Sequence, residues 1–337
     1  MLKPWSNQPL TELLAANGLE NAAEEPFPND GWSGSQLSLL RRGDDRFVLK
    51  RTSWATDWIA RATRDDTLRE GFVAAAELRL PPAIRAPYLG AAADGSGAAI
   101  LMPDLTGALF DWERPIDPDD LARVIRNVAA IHAAPAEAGP GFPWCPVRER
   151  IELLTRRSAE GYRAAGLAVG QRFIDGWDAF DRQADPASRD LVARLSSDVG
   201  PLLGALARLP AALLHGDLKL ANVGFVDGGM VLIDWQIVTR APIAVELGWL
   251  LVSNVAALPE PPDAVLERYR AAAATAGVDL ADWEPQLDLA WIVGLLLRGW
   301  RKGLDAEAGT PTGWGASGSD DLAWWSRRAV EAAERRL

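Results

Sequence analysis

The chain has 337 residues, 48% of them hydrophobic and 24% charged, with a formal net charge of −11. That length buries one large core or two modest ones, and the balance of apolar and charged residues excludes disorder of the whole chain. The negative charge argues against nucleic acid or an anionic membrane as partner, and the single cysteine, Cys145, excludes an internal disulfide framework.

The first residues, Met1-Leu2-Lys3-Pro4-Trp5, run into polar residues rather than the apolar stretch of a signal peptide, and Leu289 to Leu297, interrupted by Gly294, is too short to span a bilayer. A cytoplasmic protein is expected. Thr11 to Ala16 predicts a short helix before Gly18, and Asn21 to Asp30 is an acidic, proline-containing approach. Next comes Gly31-Trp32-Ser33-Gly34-Ser35, a small-residue loop entering a hairpin: Gln36 to Leu40, a turn at Arg42-Gly43-Asp44-Asp45, and Arg46 to Arg51. Loop residues without bulk let backbone N–H groups approach phosphate oxygens, so this loop either covers a nucleotide or is a plain turn. On the second strand Phe47 and Leu49 alternate with Val48 and Lys50, which puts a lysine on one face with an apolar neighbour two residues back.

Thr67-Leu68-Arg69-Glu70 fits a capping box opening a helix towards Leu80, stopped by Pro81-Pro82. Strands are expected over Gly90 to Ala93 and Ala98 to Met102 with a turn at Asp94-Gly95-Ser96-Gly97, leading into Pro103-Asp104-Leu105-Thr106-Gly107. Asp117-Pro118 is a capped helix start, and Leu121, Val124, Ile125, Val128 and Ile131 form its buried stripe. His132 returns to nearly that face and reads as a packing histidine. Helical patterns over 147–210 break near Gly166 to Gly170 and at Asp185-Pro186. Beyond the prolines at 259, 261 and 262, helices are expected from about Ala264, Trp283 and Asp320. Seven of the 15 tryptophans lie between Trp249 and Trp325. Residues 305–319, rich in Gly, Ser and Thr, read as a mobile lid or a disordered connection.

The stretch Leu214 to Trp235, LHGDLKLANVGFVDGGMVLIDW, carries the chemistry. It reads as a polar loop from His215 to Asn222, a turn at Asp227-Gly228-Gly229, and a β-branched run ending at Asp234. Phosphoryl transfer needs an oriented hydroxyl, magnesium on the phosphates and charge neutralisation, not covalent help. In the protein-kinase pattern H-R-D-x-x-x-x-N the Asp orients the hydroxyl and the Asn five positions on holds magnesium, as does a later Asp. Asp217, Asn222 and Asp234 keep that order and spacing, while Gly216 stands where that pattern has Arg and Asp234-Trp235-Gln236 replaces D-F-G. With two histidines and one cysteine, a zinc site or a Cys-His nucleophile pair is excluded.

At these residues the chain resembles the aminoglycoside phosphotransferase and choline kinase superfamily, whose loop reads HGDxxxxN followed by an IDW or IDF strand end. The resemblance is strongest over residues 211–250, with weaker matches near Lys50, Glu70 and Met102. It implies an α+β, bilobal protein-kinase-like fold: a small β-rich N-lobe with one main helix, residues 1–103, and a larger, mainly helical C-lobe, residues 104–337. It further implies MgATP as donor and a small-molecule hydroxyl as acceptor. Asp217 would be the base or hydroxyl-orienting group and Lys219 would steady the phosphoryl group. Asn222 and Asp234 would hold Mg2+, and Lys50, paired with Glu70 or Glu77, would hold the phosphates under Ser33, Gly34 and Ser35. The Pro103 carbonyl and Leu105 N–H would read adenine, His215 would brace the loop, and Glu246 stands where relatives carry an Asp that holds it.

Only eleven residues separate Asp234 from Glu246, which leaves no room for a peptide-docking platform and disfavours a protein acceptor. The resemblance leaves an antibiotic of the aminoglycoside type or an amino sugar beside a metabolic choline, ethanolamine, sugar or amino-alcohol kinase, with a nucleotide-binding pseudokinase as a third reading. Tryptophan faces near Asp279, Asp282, Glu284 and Asp288 suit a cationic acceptor.

Overall fold

The alternation read at Lys50 builds the first layer of the protein, whose computed structural model describes residues 3–27 and 31–337. Strands β1 (Glu24–Pro26), β2 (Gln36–Arg42), β3 (Asp45–Thr52), β4 (Ile84–Arg85), β5 (Gly90–Asp94) and β6 (Gly97–Pro103) supply the amino-terminal third. All but β4 form an antiparallel sheet in the order β1-β2-β3-β6-β5, with Lys50 opposite Leu37 and Ile100. Period-two alternation gives this sheet two apolar faces. Phe47, Leu49, Ala99 and Leu101 pack under α1 (Leu10–Ala16) through Leu13, joined by Leu19 just beyond the helix. Val48, Ile100 and Met102 pack on the other side with Trp5, Leu68 and Ala74. Lys50 shares this second face and so projects towards α2 (Trp58–Ala62) and α3 (Arg69–Ala74).

The main helix expected to run towards Leu80 is shorter than its sequence pattern. It stops at Ala74, Ala76 takes φ +60°, and Leu78 bridges Ala138 in extended form. Hydrogen bonds from Gly139 N–H to the Glu77 carbonyl and from Arg79 N–H to the Glu137 carbonyl unwind it, so tertiary pairing rather than Pro81-Pro82 ends the helix. The capping box is absent too. Asp65 accepts from the Arg69 N–H at 2.7 Å and from the Thr67 hydroxyl at 2.9 Å, while Leu68 occupies the cap position in a left-handed conformation.

The larger, helical part follows. It comprises α4 (Pro118–Ala133), α5 (Val147–Glu152), α6 (Arg156–Ala164), α7 (Ala168–Gln183), α8 (Pro186–Ser197), α9 (Gly200–Leu206), α10 (Ile243–Ser253), α11 (Pro262–Ala276), α12 (Trp283–Ala308) and α13 (Gly318–Arg336). Asp117 caps α4 through the Asp119 N–H, and Leu121, Val124, Ile125, Val128 and Ile131 are all buried in the main core. The apolar helix α12 packs between α7, α10 and α13, and Trp283, Trp291, Trp300 and Trp325 are core side chains. Among the described residues no helix is long and apolar enough to cross a membrane.

Residues 305–319 are anchored rather than lid-like. Thr312 is buried, its hydroxyl accepts from the Ala316 N–H at 2.9 Å, and Gly313 N–H bonds the Val255 carbonyl at 2.8 Å. Polar backbone that finds such partners stays in place.

Between the helices, β7 (Ala212–Leu214) pairs with β10 (Thr239–Ala241), and β8 (Val223–Val226) pairs with β9 (Gly229–Leu232), which also carries β4. The β8–β9 turn is Asp227-Gly228, both at positive φ, the two-residue hairpin geometry expected of that dipeptide.

Candidate active site

Between the sheet and the helices lies a cleft of about 320 Å³ lined by Ser33, Lys50, Glu70, Leu105, Asn222 and Asp234, with Pro103 and Ser35 also on its wall. A larger groove near Pro81 and Pro135 lies outside this site and holds none of its side chains. Lys50 Nζ donates to Glu70 Oε2 at 2.6 Å and to Asp234 Oδ1 at 2.8 Å, so one buried cation joins the strand, the helix and the loop after β9. Burial works against its charge, but Asp234 and Glu70 outweigh it and hold the ammonium protonated. Burial and the Asp234 charge push Glu70 up, whereas Lys50 holds Asp234 ionised against its own burial. The choice between Glu70 and Glu77 is thereby decided for Glu70. Glu77 is turned to the 137–139 segment.

Asp234 itself sits in the left-handed region, φ +65° and ψ +53°, an arrangement that costs an L-residue roughly 1–2 kcal/mol. Tyr88 offsets it: its hydroxyl donates to Glu70 Oε1 at 2.7 Å and accepts the Asp234 N–H at 3.0 Å. Nothing in the sequence around Tyr88 signals this bridge.

On the loop from His215 to Asn222, Lys219 Nζ lies 2.9 Å from Asp217 Oδ2, while Asp217 Oδ1 is buried without a partner. Asn222 donates its amide to the Asp217 carbonyl at 3.0 Å, which leaves its side-chain oxygen for the cleft it lines. The Ile233 N–H bonds the Asn222 carbonyl, tying the loop to the segment before Asp234. His215 Nε2 donates to the Ile233 carbonyl at 3.0 Å and Nδ1 accepts the Asp217 N–H at 3.3 Å, a loop-bracing arrangement.

Gly216, standing where the protein-kinase pattern has Arg, has φ +86°, and a Cβ there would lie 2.1 Å from the Ile237 carbonyl oxygen. The backbone approach excludes any side chain. A buried arginine from elsewhere, Arg150 on α5, donates to the Gly216 carbonyl at 2.8 Å.

Glu246 spans the distance to the loop despite its extra methylene. Its Oε1 accepts the Gly216 N–H at 2.7 Å, and Oε2 accepts the His215 N–H at 3.3 Å. His132, read from sequence as packing, is the far side of this brace: Nε2 bonds Glu246 Oε2 at 3.0 Å and Nδ1 meets the Tyr269 hydroxyl at 2.6 Å. Burial pushes Glu246 up, yet the His132 bond and charge, His215 and the Gly216 N–H together hold it below the usual carboxylate range. Asn254 completes the support, accepting the Leu220 N–H at 2.7 Å and donating to the Leu218 carbonyl. Glu246→Ala strands His132 and the Gly216 N–H in the core and is expected to cost about 3–5 kcal/mol. Urea unfolding checks it, and a midpoint equal to the parent's would remove Glu246 from this role.

The small-residue loop is pinned. Ser35 Oγ donates to the buried Asp57 at 3.1 Å, Ser33 Oγ to Ser35 Oγ at 3.2 Å, and the Ser33 carbonyl accepts the Trp58 N–H at 2.9 Å. Gly34, at φ +93°, passes so close to the Thr56 carbonyl that a Cβ would lie 2.3 Å from its oxygen. The loop therefore forms a fixed wall of the cleft at Gly31, Ser33 and Ser35.

The model of the phosphotransferase enzyme family matches residues 26–302. The chain belongs to that family. No curated protein matches the sequence. Among solved structures, the choline kinase from Cryptosporidium parvum Iowa II is 10% identical, with a TM-score of 0.53 over 93% of this chain and 90% of its own. The choline kinase LicA from Streptococcus pneumoniae is 11% identical, with a TM-score of 0.49 over 96% and 98%. An aminoglycoside-3'-phosphotransferase of type VIII is 20% identical, with a TM-score of 0.47 over 86% and 98%. At 10% identity the likeness to the Cryptosporidium parvum enzyme shows the fold alone, α+β with a small antiparallel lobe and a helical one.

For this phosphotransferase, a small-molecule kinase, the acids offered by sequence for a cationic acceptor are not among the residues that line the cleft. Asp288 is held by Arg335 at 2.6 Å and Arg336 at 2.7 Å, and Asp279 caps the Ala281 N–H. Asp282 and Glu284 stand with them at the start of α12.

Proposed function

We propose that this phosphotransferase moves the γ-phosphoryl group of MgATP to a hydroxyl of a small molecule. The observation that carries the proposal is the Lys50–Glu70 and Lys50–Asp234 ion pairs in the same cleft as Asn222, beside an Asp217 with one carboxylate oxygen unpartnered. Residues 1–103 would serve as the nucleotide lobe and 104–337 as the catalytic lobe, with the Pro103 carbonyl and Leu105 N–H facing adenine.

Asp217 receives or orients the proton of the acceptor's hydroxyl as that hydroxyl's oxygen bonds the γ-phosphorus and the bond to the bridging oxygen of ADP breaks. A loose transition state places proton loss late, so a strongly basic carboxylate is not required. Lys219 neutralises charge on the transferring group, and Lys50 does so on the phosphates. Asn222 and Asp234 would hold Mg2+, which supplies charge neutralisation when bound. One amide oxygen and one carboxylate, completed by water and phosphate, is a donor set this ion accepts. Among the described residues no cluster of three or more His, Cys, Asp or Glu offers an all-protein cage instead.

The presence of this whole set argues against a nucleotide-binding pseudokinase. ADP release from MgATP, measured across aminoglycosides, amino sugars, sugars, choline, ethanolamine and hydroxy acids with Asp217→Asn as the blank, tests the reading. Acceptor-dependent release absent from the blank is expected. Release equal in parent and blank for every acceptor overturns it.

A further inference from the structure

Beside Asp217, Lys219 is joined by arginines that phosphoryl transfer does not account for. The ring of Trp249, buried on α10, has the Arg150 guanidinium carbon 4.5 Å from its centroid, Lys219 Nζ at 5.5 Å and Arg298 at 5.7 Å. Arg298, on α12, also lies 5.1 Å from the Trp300 ring, and its buried Nε has no hydrogen-bond partner. Arg150 is fully buried, and beyond its bond to the loop both terminal nitrogens are unpartnered, as is Trp249 Nε1. One turn along α12, Arg301 pairs with Asp305, at 2.9 Å. Across from it on α7, exposed Arg172 stacks 3.5 Å from Trp32 of the small-residue loop, and Trp32 in turn meets Trp300 at 6.3 Å.

These charges oppose one another. Burial and Arg301 push Arg298 down to about 10, with Asp305 and Asp217 only partly offsetting them, and burial and Arg301 also lower Arg172. Buried guanidinium donors without partners and like charges within reach of each other are both unfavourable, and a bound anion relieves both. The position matters as much as the charge: Lys219 links the Trp249 ring to Asp217 Oδ2, so an anion held here lies on the base side of the cleft.

We propose that this cluster is the acceptor's anion seat: the phosphorylated molecule carries a carboxylate or phosphate held by Arg298, with Arg172 and Arg301 at the rim and the Trp249 and Trp300 faces beside it. The proposal rests on the phosphotransferase reading above and names its acceptor as an anionic hydroxy compound, in place of the cationic one expected from sequence.

The test reads binding apart from turnover. With the protein saturated by the β,γ-imido analogue of MgATP, which occupies the phosphate positions, tryptophan fluorescence is titrated with citrate, inorganic phosphate and choline. A saturable response to citrate or phosphate, and none to choline, is expected; the better of the two anions tells carboxylate from phosphate. Arg298→Gln and Arg172→Gln should each weaken that response about 10- to 100-fold, the loss expected for a charge-assisted hydrogen bond, with nucleotide affinity unchanged. Arg172 is exposed, so its variant tests the seat without touching the core. No saturable anion response, an equal response in both variants, a preference for choline, or a parallel loss of nucleotide affinity in Arg298→Gln would each overturn the seat. A protein that binds the anion yet releases no ADP with any acceptor would sink the transfer reading and leave the seat standing.

Discussion

Asp217→Asn is expected to bind MgATP as the parent does and to lose turnover by about 10²- to 10⁴-fold, the usual contribution of a positioned acid–base group. The substitution is nearly isosteric, and the loop does not depend on the carboxylate for its shape. Glu246 holds Gly216 N–H, Arg150 holds the Gly216 carbonyl, and Asn254 holds both Leu218 and Leu220. An amide oxygen still accepts from Lys219, so what disappears is the capacity to take a proton at the oxygen that lacks a partner. Single-turnover measurement of phosphoryl transfer, with nucleotide affinity taken separately by calorimetry, checks both halves. Turnover equal to the parent's would remove Asp217 from the chemistry.

Replacement of Asp234 acts on binding instead. Asp234→Asn keeps the left-handed backbone, which asparagine tolerates, and removes the charge that holds Lys50 and that, on the proposed reading, would hold the metal. Nucleotide affinity in magnesium should fall by at least about 10- to 100-fold, as for a damaged metal site, while affinity in chelator changes little. Asp234→Ala should show the same loss with added backbone strain and a lower melting temperature. If affinity in magnesium is unchanged in both variants, the assignment of Asp234 to the metal is wrong.

Much of the arrangement of the loop from His215 to Asn222 was legible because it is local. Asp217 and Asn222 are five residues apart on one short loop, the Asp-Gly turn dictates a two-residue hairpin, and the hairpin's end delivers Asp234. The period of two at Phe47 to Lys50 likewise placed the lysine on a known face before any partner was visible. The capping box at Thr67 and the helix towards Leu80 were equally plausible local patterns that failed. Asp65 supplies a better cap, and the 137–139 segment captures Glu77 and Arg79 by backbone hydrogen bonds. Local propensity is worth tenths of a kcal/mol per residue, less than the tertiary bonds that override it.

By itself, then, the sequence determined the order of functional groups, through spacing within a single loop, and through the family resemblance which that loop carries it implied the α+β, kinase-like class. Only the tertiary structure decided which distant groups meet. Lys50 reaches Asp234 across 184 positions, Tyr88 bridges Glu70 to the Asp234 backbone, and His132 joins Glu246 from 114 positions away. The acceptor side shows the same limit most plainly. The acids near the start of α12 looked well placed beside tryptophans, but the helix rises about 1.5 Å per residue, so Asp288 and Arg298 stand about 15 Å apart along it. What gathers beside Asp217 is instead arginine from α5 and α12, with Arg172 of α7 further out against Trp32, and no pattern in a linear chain records a cluster that only helix packing brings together.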